Sequence, residues 1–441
     1  MAAQGKGGAV LHNINSHDVL VEPATNIAGM VSLPGDKSIS HRYAMLAAIA
    51  EGQTKIENFS TGADCASTVA CVSSLGARVQ RDGNRLLIDG RGSELLAPDK
   101  PLDCGNSGST MRMLSGILAG QSFETVLVGD ASLSRRPMSR VIEPLSAMGA
   151  RISATDGHAP LRVQGDRLRA VDYTMRIASA QVKSAILLAG LYAQGETSVE
   201  EPLPTRDHTE LALRAFGATV SKAKNRISVA GGQKLRAIDT TVPGDMSSAA
   251  FFMCAAALFR ESDLLLENVS LNPTRALLLD VLVGLGVKIR VLQVEDRHGE
   301  LAGSIHVQHG VLRGIKVEGA TSAALIDELP VLAAIGPYTQ EGVEIRDARE
   351  LRVKESDRIA AVAANLRAMG AEVEEFDDGL RVPGKQSLRG AELPSFDDHR
   401  IAMAFAVAAL RAEGATLIRG ADAARISFPE FFDMLDAVAR R

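Results

Sequence analysis

The chain has 441 residues, of which 46% are hydrophobic and 23% charged, and its 48 Lys and Arg against 53 Asp and Glu give a formal net charge of −5. That length predicts two or three domains with an ample core. The slight acidity argues against nucleic-acid or membrane-surface partners, leaving only local basic clusters open. The longest uncharged run, Met246 to Phe259, is short of the ~18 residues that would suggest a membrane span. The N-terminus has no signal-type apolar core. Cys65, Cys71, Cys104 and Cys254 form no CxxC pair and no zinc spacing. The expectation is a cytoplasmic protein with reduced thiols and no metal.

In chain order, the first clear element begins at Pro34 with PGDKSISHRYAMLAAIAEGQTKIENFS: a turn, an apolar helix, then a strand from near Thr54. Ile39, Tyr43, Leu46 and Ala50 share one face of that helix. A Gly at position 76 ends the next helix and leads into a strand, in LGARV. The same device returns at Gly149, Gly217, Gly286 and Gly370, as expected of the left-handed residue after a helix end. Further strands start near Phe123, Thr197, Asp263, Gly342 and Ala415. Ile359, Val362, Leu366 and Met369 mark another helical stripe.

These elements repeat. PGDMSSAAFFMCAAALFRESDLLLENVS, from Pro243, matches the Pro34 segment at nearly half the chain's distance. Each half then holds three strand–helix modules, the sixth cut short by the C-terminus. The reading is α/β with two similar lobes: 34–243 as the first, 1–33 plus 244–441 as the second, with a hinge at the crossovers near Pro34 and Pro243.

Catalytic groups of such a protein are expected where its lobes face each other. Helix starts are the places to search, since their free N–H groups and dipole attract anions. Lys37, Ser38 and Arg42 open the first helix; a solvated face is the bland alternative, but the repeat keeps Pro-Gly-Asp and has Met246 in place of Lys37, so the turn does not need the lysine. CGNSGSTMR, around Gly108, allows close backbone approach to a ligand. Ser134-Arg135-Arg136-Pro137 carries two guanidinium groups suited to carboxylate or phosphate. Ser179-Ala180-Gln181 opens an uncharged helix. In the second half, Asp327-Glu328 offers a general base or a helix cap, while LRVKESDR at 351–358 and DDHR at 397–400 are charged turns feeding helices. Together they suggest small, heavily anionic ligands.

Eight segments in order, LPGDKSISHR, GNSGSTMR, GDASLSRRPM, SAQVKSAILLAGL, TRDHTE, IDELP, ELRVKESDRI and DDHRIAM, resemble the 5-enolpyruvylshikimate-3-phosphate synthase family (3-phosphoshikimate 1-carboxyvinyltransferases) from about Val19 to near the C-terminus. TRDHTE and SAQVKSA look more like its second bacterial class. The resemblance implies an inside-out α/β fold, two lobes of three βαβαββ units each. It implies transfer of the enolpyruvyl group of phosphoenolpyruvate to the 5-hydroxyl of shikimate 3-phosphate, on the route to chorismate and aromatic amino acids, with no cofactor. Roughly five to six negative charges would then share one cleft.

By the same resemblance, shikimate 3-phosphate would be held by Lys37, Ser38, Arg42, Ser179, Ala180, Gln181, Arg206, Asp327 and Lys354. Phosphoenolpyruvate would meet Lys37, Gly108, Arg136, Gln181, Arg358 and Arg400. Asp327 would be the base for the hydroxyl, and Glu355 with Lys37 the proton-transfer pair at the methylene carbon. Two positions depart from the pattern. Ala180 stands where many members have a second serine, and Ile426 where others have a lysine, with Arg425 the candidate replacement. Gly108, which is Ala in some glyphosate-tolerant members, implies sensitivity to glyphosate. The cell-wall enolpyruvyl transferases carry a catalytic Cys where this chain has Ala131, so that rival loses. A silent binding protein would have lost its acids and cations, and an RNA 3′-end cyclase has no support. A monomer is expected.

Overall fold

In the computed structural model, which describes residues 10–441, Asp36 and Asp245 do the same local work. Each follows a Pro-Gly pair and caps a helix: Asp36 accepts from Ile39 N–H at 2.9 Å ahead of Lys37–Ala48, and Asp245 from Ser247 N–H at 2.7 Å ahead of Met246–Ala257. Such caps satisfy backbone donors that the helix cannot. The chain divides into two compact units: Pro34–Pro243 with Asp296–Glu300, and 10–33 with Gly244–Glu295 and Leu301–Arg441. The five residues Asp296–Glu300 thus depart from the expected second lobe. Glu300 lies 2.7 Å from the buried His208 in the first unit, and this contact fixes them there.

The first unit holds three four-stranded sheets of one pattern, in which a parallel pair is followed by two antiparallel partners. The strand Asp172–Thr174 runs parallel to Glu196–Glu200, which pairs antiparallel with Arg226–Ala230, itself paired with Val220–Ala223. Leu102–Asp103 leads the second sheet in the same way. The strand Asp239–Thr241 leads the one containing Gln53–Glu57. Each sheet is followed inward by a helix buried nearly all round: Lys37–Ala48, Gly108–Ala119 and Ala180–Gly190. The stripe Ile39–Tyr43–Leu46 is therefore only part of the buried surface, because Ser40, His41 and Arg42 are buried as well. Where Gly108–Ala119 crosses Ala180–Gly190, a Cβ on Gly116 would lie 2.1 Å from the carbonyl oxygen of Ala185. Only glycine permits that approach.

The second unit repeats the plan. Asn26–Ser32 runs parallel to Asp263–Ser270, Gly314–Val317 to Gly342–Ile345, and Glu392–Pro394 to Thr416–Arg419. The sixth module is complete rather than truncated. Val19–Val21 pairs antiparallel with Thr416–Arg419, and Leu11–Asn13 pairs with Val19–Val21, so the N-terminal hairpin supplies the two strands missing after the last helix. Asp18 fixes it there, accepting from Arg419 Nη1 at 2.7 Å and Gly420 N–H at 3.1 Å. All five predicted glycine turns adopt positive φ, from 89° at Gly370 to 111° at Gly286. The four cysteines are free and buried. Among the described residues no helix is long and apolar enough to cross a membrane.

Candidate active site

In the first unit three helix starts come together. Ser107 and Ser179 cap Gly108–Ala119 and Ala180–Gly190 through the N–H groups of Thr110 and Val182. Gln181 Nε2 donates to Ser109 Oγ at 2.8 Å, tying the two starts directly. Lys37 Nζ lies 2.9 Å from Asp64 Oδ2, and Asp64's carbonyl accepts from Thr110 Oγ1 at 3.5 Å, which brings the third start alongside. Lys37, Ser38, Gly108, Ser179, Ala180 and Gln181 therefore gather at one end of the inner helices. The N-terminal ends of those helices add positive potential there.

Two guanidinium groups flank Gly108. A Cβ on it would lie 3.1 Å from Arg112 Nη1 and 3.4 Å from Arg136 Nη1. Arg136 is buried and donates to Asn106 Oδ1 at 2.7 Å and Ser132 Oγ at 3.3 Å, while its neighbour Arg135 is exposed. Arg112 donates to Gln181 Oε1 at 2.8 Å and to the Pro137 carbonyl at 3.2 Å. Sequence reasoning did not single out Arg112. The signal was its place one turn after Gly108 on the same helix.

Arg42 is buried and fully directed. Its Nε donates to Thr209 Oγ1 at 2.6 Å, Nη2 to Ser184 Oγ at 2.9 Å and Nη1 to the Ser38 carbonyl at 2.8 Å. Burial pulls its pKa down to about 10 from the ordinary 12.5, against the opposing pull of the Glu210 and Asp36 charges. Arg206 is half-buried on the turn before the His208–Ala215 helix, close enough for its charge to depress Arg42 further. His41, held well below its usual pKa by burial and the neighbouring Lys37 and Arg42, is 2.7 Å from Thr68 Oγ1, itself 2.6 Å from Thr110 Oγ1. This buried chain braces the loop before Gly108.

The second unit builds a different cluster around a carboxylate. Asp327 Oδ1 lies 3.5 Å from Arg358 Nη1, 3.9 Å from Lys354 Nζ and 3.9 Å from Arg400 Nε. Arg400 Nη1 also donates to the Asp327 carbonyl at 2.7 Å. Arg358 is 1% exposed and meets three acids: Asp398 through Nε at 2.8 Å, Glu355 through Nη2 at 2.7 Å, and Asp327. Burial alone would lower its pKa, but those carboxylates outweigh it and hold the guanidinium above its ordinary value. Lys354 goes the other way: burial lowers its pKa, with the nearby Arg358 adding to the effect and Asp327 opposing it.

Asp398, also passed over in the sequence, organises this cluster. It is fully buried and accepts from Arg358 Nε and Nη2, from Ser356 Oγ at 3.0 Å and from the Arg400 N–H at 2.9 Å. The other acid of the Asp327-Glu328 pair turns inward instead. Glu328 hydrogen-bonds Ser247 Oγ and lies 3.6 Å from Arg275. Arg352 pairs with Asp357 and Glu375 away from the cluster. Arg425 is exposed on the turn Ala421–Ile426.

The arrangement offers two sets of buried, directed cations, one at glycine-bearing helix starts and one around a carboxylate. That is chemistry for polyanionic substrates and proton transfer. The family model described as EPSP synthase (3-phosphoshikimate 1-carboxyvinyltransferase) matches residues 21–435. A 3-phosphoshikimate 1-carboxyvinyltransferase of Koribacter versatilis is 62% identical, over 96% of this chain and 99% of that protein. One from Solibacter usitatus is 55% identical over 96% of this chain and all of its own length. The solved EPSP synthase of Acinetobacter baumannii superposes with a TM-score of 0.86 at 41% identity, covering 96% of this chain and 99% of that one. This chain is a member of the EPSP synthase family.

Proposed function

We propose that the two clusters divide the family's reaction, enolpyruvyl transfer from phosphoenolpyruvate to shikimate 3-phosphate, as follows. Ser38, Arg42, Ser179, Gln181 and Arg206 hold shikimate 3-phosphate, with Ala180 contributing only its helix-start N–H, and Lys354 adds a cation. Gly108, Arg136, Arg358 and Arg400 hold phosphoenolpyruvate. Lys37 and Gln181 serve both substrates. Asp327 takes the proton of the 5-hydroxyl as its oxygen attacks C2 of phosphoenolpyruvate. A proton from Glu355, relayed with Lys37, is delivered to C3, so that the vinyl carbon becomes a methyl group. The tetrahedral intermediate then loses a proton from that methyl group and expels phosphate from C2, restoring the double bond on the transferred group.

The observation that carries this reading is Asp327 among three cations at 3.5–3.9 Å. Without substrate those three cations face the carboxylate. Anionic substrates compete for the same cations, which leaves the Asp327 carboxylate available to the hydroxyl it is to deprotonate. The preorganised cations also stabilise charge on the intermediate.

Phosphate release from phosphoenolpyruvate, measured with shikimate 3-phosphate, UDP-N-acetylglucosamine or no acceptor, tests the assignment. Release is expected only with shikimate 3-phosphate, and Asp327→Ala should lower it by roughly 10²–10⁴-fold. A folded Asp327→Ala variant with the wild-type rate would remove Asp327 from the role of base.

A further inference from the structure

Next to the shikimate 3-phosphate groups lies a buried charge cluster that the reaction does not use. Lys183, on the Ala180–Gly190 helix, has no exposed side-chain surface. Its Nζ lies 2.7 Å from Glu210 Oε1 and 3.2 Å from Glu201 Oε2, and both acids are 1% exposed at their side chains. One ammonium group therefore faces two carboxylates, none of the three open to bulk solvent. Such a cluster is a poor source of stability, because an apolar replacement of similar volume often does as well. The charge-assisted hydrogen bond from Lys183 Nζ to Glu201 Oε2 fixes geometry closely, while Glu210 is held by the short ion pair alone, and here the geometry leads to the site.

Each partner of Lys183 holds a segment that carries a substrate group. Glu201 Oε1 accepts from the N–H of Thr205 at 3.2 Å and from its hydroxyl, which pins the turn immediately before Arg206. Glu210 belongs to the His208–Ala215 helix, whose Thr209 accepts from Arg42 Nε. The Glu210 charge also favours the protonated form of Arg42. Lys183 itself sits four residues after the cap Ser179 and two after Gln181, and the next residue, Ser184, accepts from Arg42 Nη2 and is 2.6 Å from Thr209 Oγ1. Three chain segments thus meet at one ammonium group.

We propose that Lys183 is a positioning residue for shikimate 3-phosphate, holding the Arg206 turn and the Thr209 support of Arg42 in register with the helix that starts at Ser179. It rests on the assignment of Arg42, Arg206 and Ser179 to that substrate. Of the groups assigned to phosphoenolpyruvate only Gln181 shares the Lys183 helix; Gly108, Arg136, Arg358 and Arg400 lie on other segments, so the effect falls mainly on shikimate 3-phosphate.

The test is steady-state kinetics of Lys183→Met, with Thr205→Val as a milder cut in the same linkage and Arg206→Ala as a control on the substrate assignment. Lys183→Met should raise KM for shikimate 3-phosphate tenfold or more while kcat and KM for phosphoenolpyruvate stay within threefold. Thr205→Val, which keeps the buried charges, should raise the same KM about threefold. It also decides the matter if Lys183→Met does not fold. Unchanged KM for shikimate 3-phosphate in the folded variants, or equal losses for both substrates, would overturn the proposal. If Arg206→Ala leaves that KM unchanged, the substrate assignment fails instead.

Discussion

Asp398→Asn removes one charge from the second cluster and almost no volume. At present the Asp398 carboxylate takes four donors: two from Arg358, one from Ser356 and the Arg400 N–H. Asparagine keeps one acceptor oxygen, and its NH₂ group must then face donors. Asn is as good a helix cap as Asp, so the cap on His399–Ala409 survives. The loss falls on Arg358, which is 1% exposed and cannot turn to water. At an effective dielectric constant of about 20, charges 2.8 Å apart attract by roughly 6 kcal/mol before desolvation is counted. Breaking a buried pair usually costs about 3–5 kcal/mol net. Glu355 and Asp327 still face Arg358, so the low end, about 3 kcal/mol, applies. For a domain of this size about 2–4 °C is lost per kcal/mol, so Tm should fall by about 6–12 °C. Arg358 also loses the partner that aims it, and KM for phosphoenolpyruvate should rise about tenfold, equivalent to 1.4 kcal/mol. Calorimetry and initial rates on one preparation read both numbers. A variant melting within 2 °C of wild type with unchanged KM would show that Asp398 does not anchor Arg358.

Gly108→Ala should leave stability within about 1 kcal/mol of wild type, since alanine is the better helix former and φ at this position is not positive. Its methyl group would press on Arg112 and Arg136 at 3.1 and 3.4 Å. KM for phosphoenolpyruvate should rise several-fold with KM for shikimate 3-phosphate unchanged; equal values for both proteins would refute this crowding argument. On the same geometry glyphosate should compete with phosphoenolpyruvate in the wild type and less well in the variant, which an inhibitor titration measures. Lys354, its pKa lowered by burial, should lose its charge at a lower pH than an ordinary lysine. Shikimate 3-phosphate binding then weakens as pH rises through that lowered value. Stability moves the opposite way, because between the lowered and the ordinary pKa the unfolded chain binds more protons. Lys354→Arg, which keeps its charge, should extend binding to higher pH; an alkaline limb identical to wild type would assign that limb to another group, such as Arg42, whose pKa burial lowers to about 10.

The repeat made the modules legible because five of the six end a helix on a glycine and most begin one on a capping acid or serine, residues that stand out in a sequence. The closing of the sixth module was not legible. Its missing strands, Leu11–Asn13 and Val19–Val21, lie at the opposite end of the chain, and strand pairing over that separation leaves no local signal. Charged doublets show the same limit at the site. Arg135 and Arg136, Asp327 and Glu328, and Asp397 and Asp398 each read as one polar turn. In each pair neighbouring residues point in different directions; residue chemistry alone leaves the choice open, and only the family resemblance singled out Arg136 and Asp327. Arg136 turns in and Arg135 out; Glu328 braces a helix while Asp327 faces the cations.

The repeat also acts as an internal control on what the chemistry requires. Lys37 and Met246 hold equivalent places after the same capped Pro-Gly-Asp turn, so the turn cannot explain the lysine. At Met246 the structure supplies its own charges. Arg275 lies 3.4 Å from Asp245 and 3.6 Å from Glu328, with Ser247 bonded to both Arg275 and Glu328, and Met246 is itself 1% exposed. That helix start is filled from within and needs no ligand. At the Lys37 start the side chain is 18% exposed and pairs with Asp64 on a separate helix, which puts a partly exposed cation at a helix N-terminus, where anions are favoured. Of the two duplicated starts, the proposed assignment gives substrate to the one whose cation is partly exposed and none to the one whose charges are matched from within.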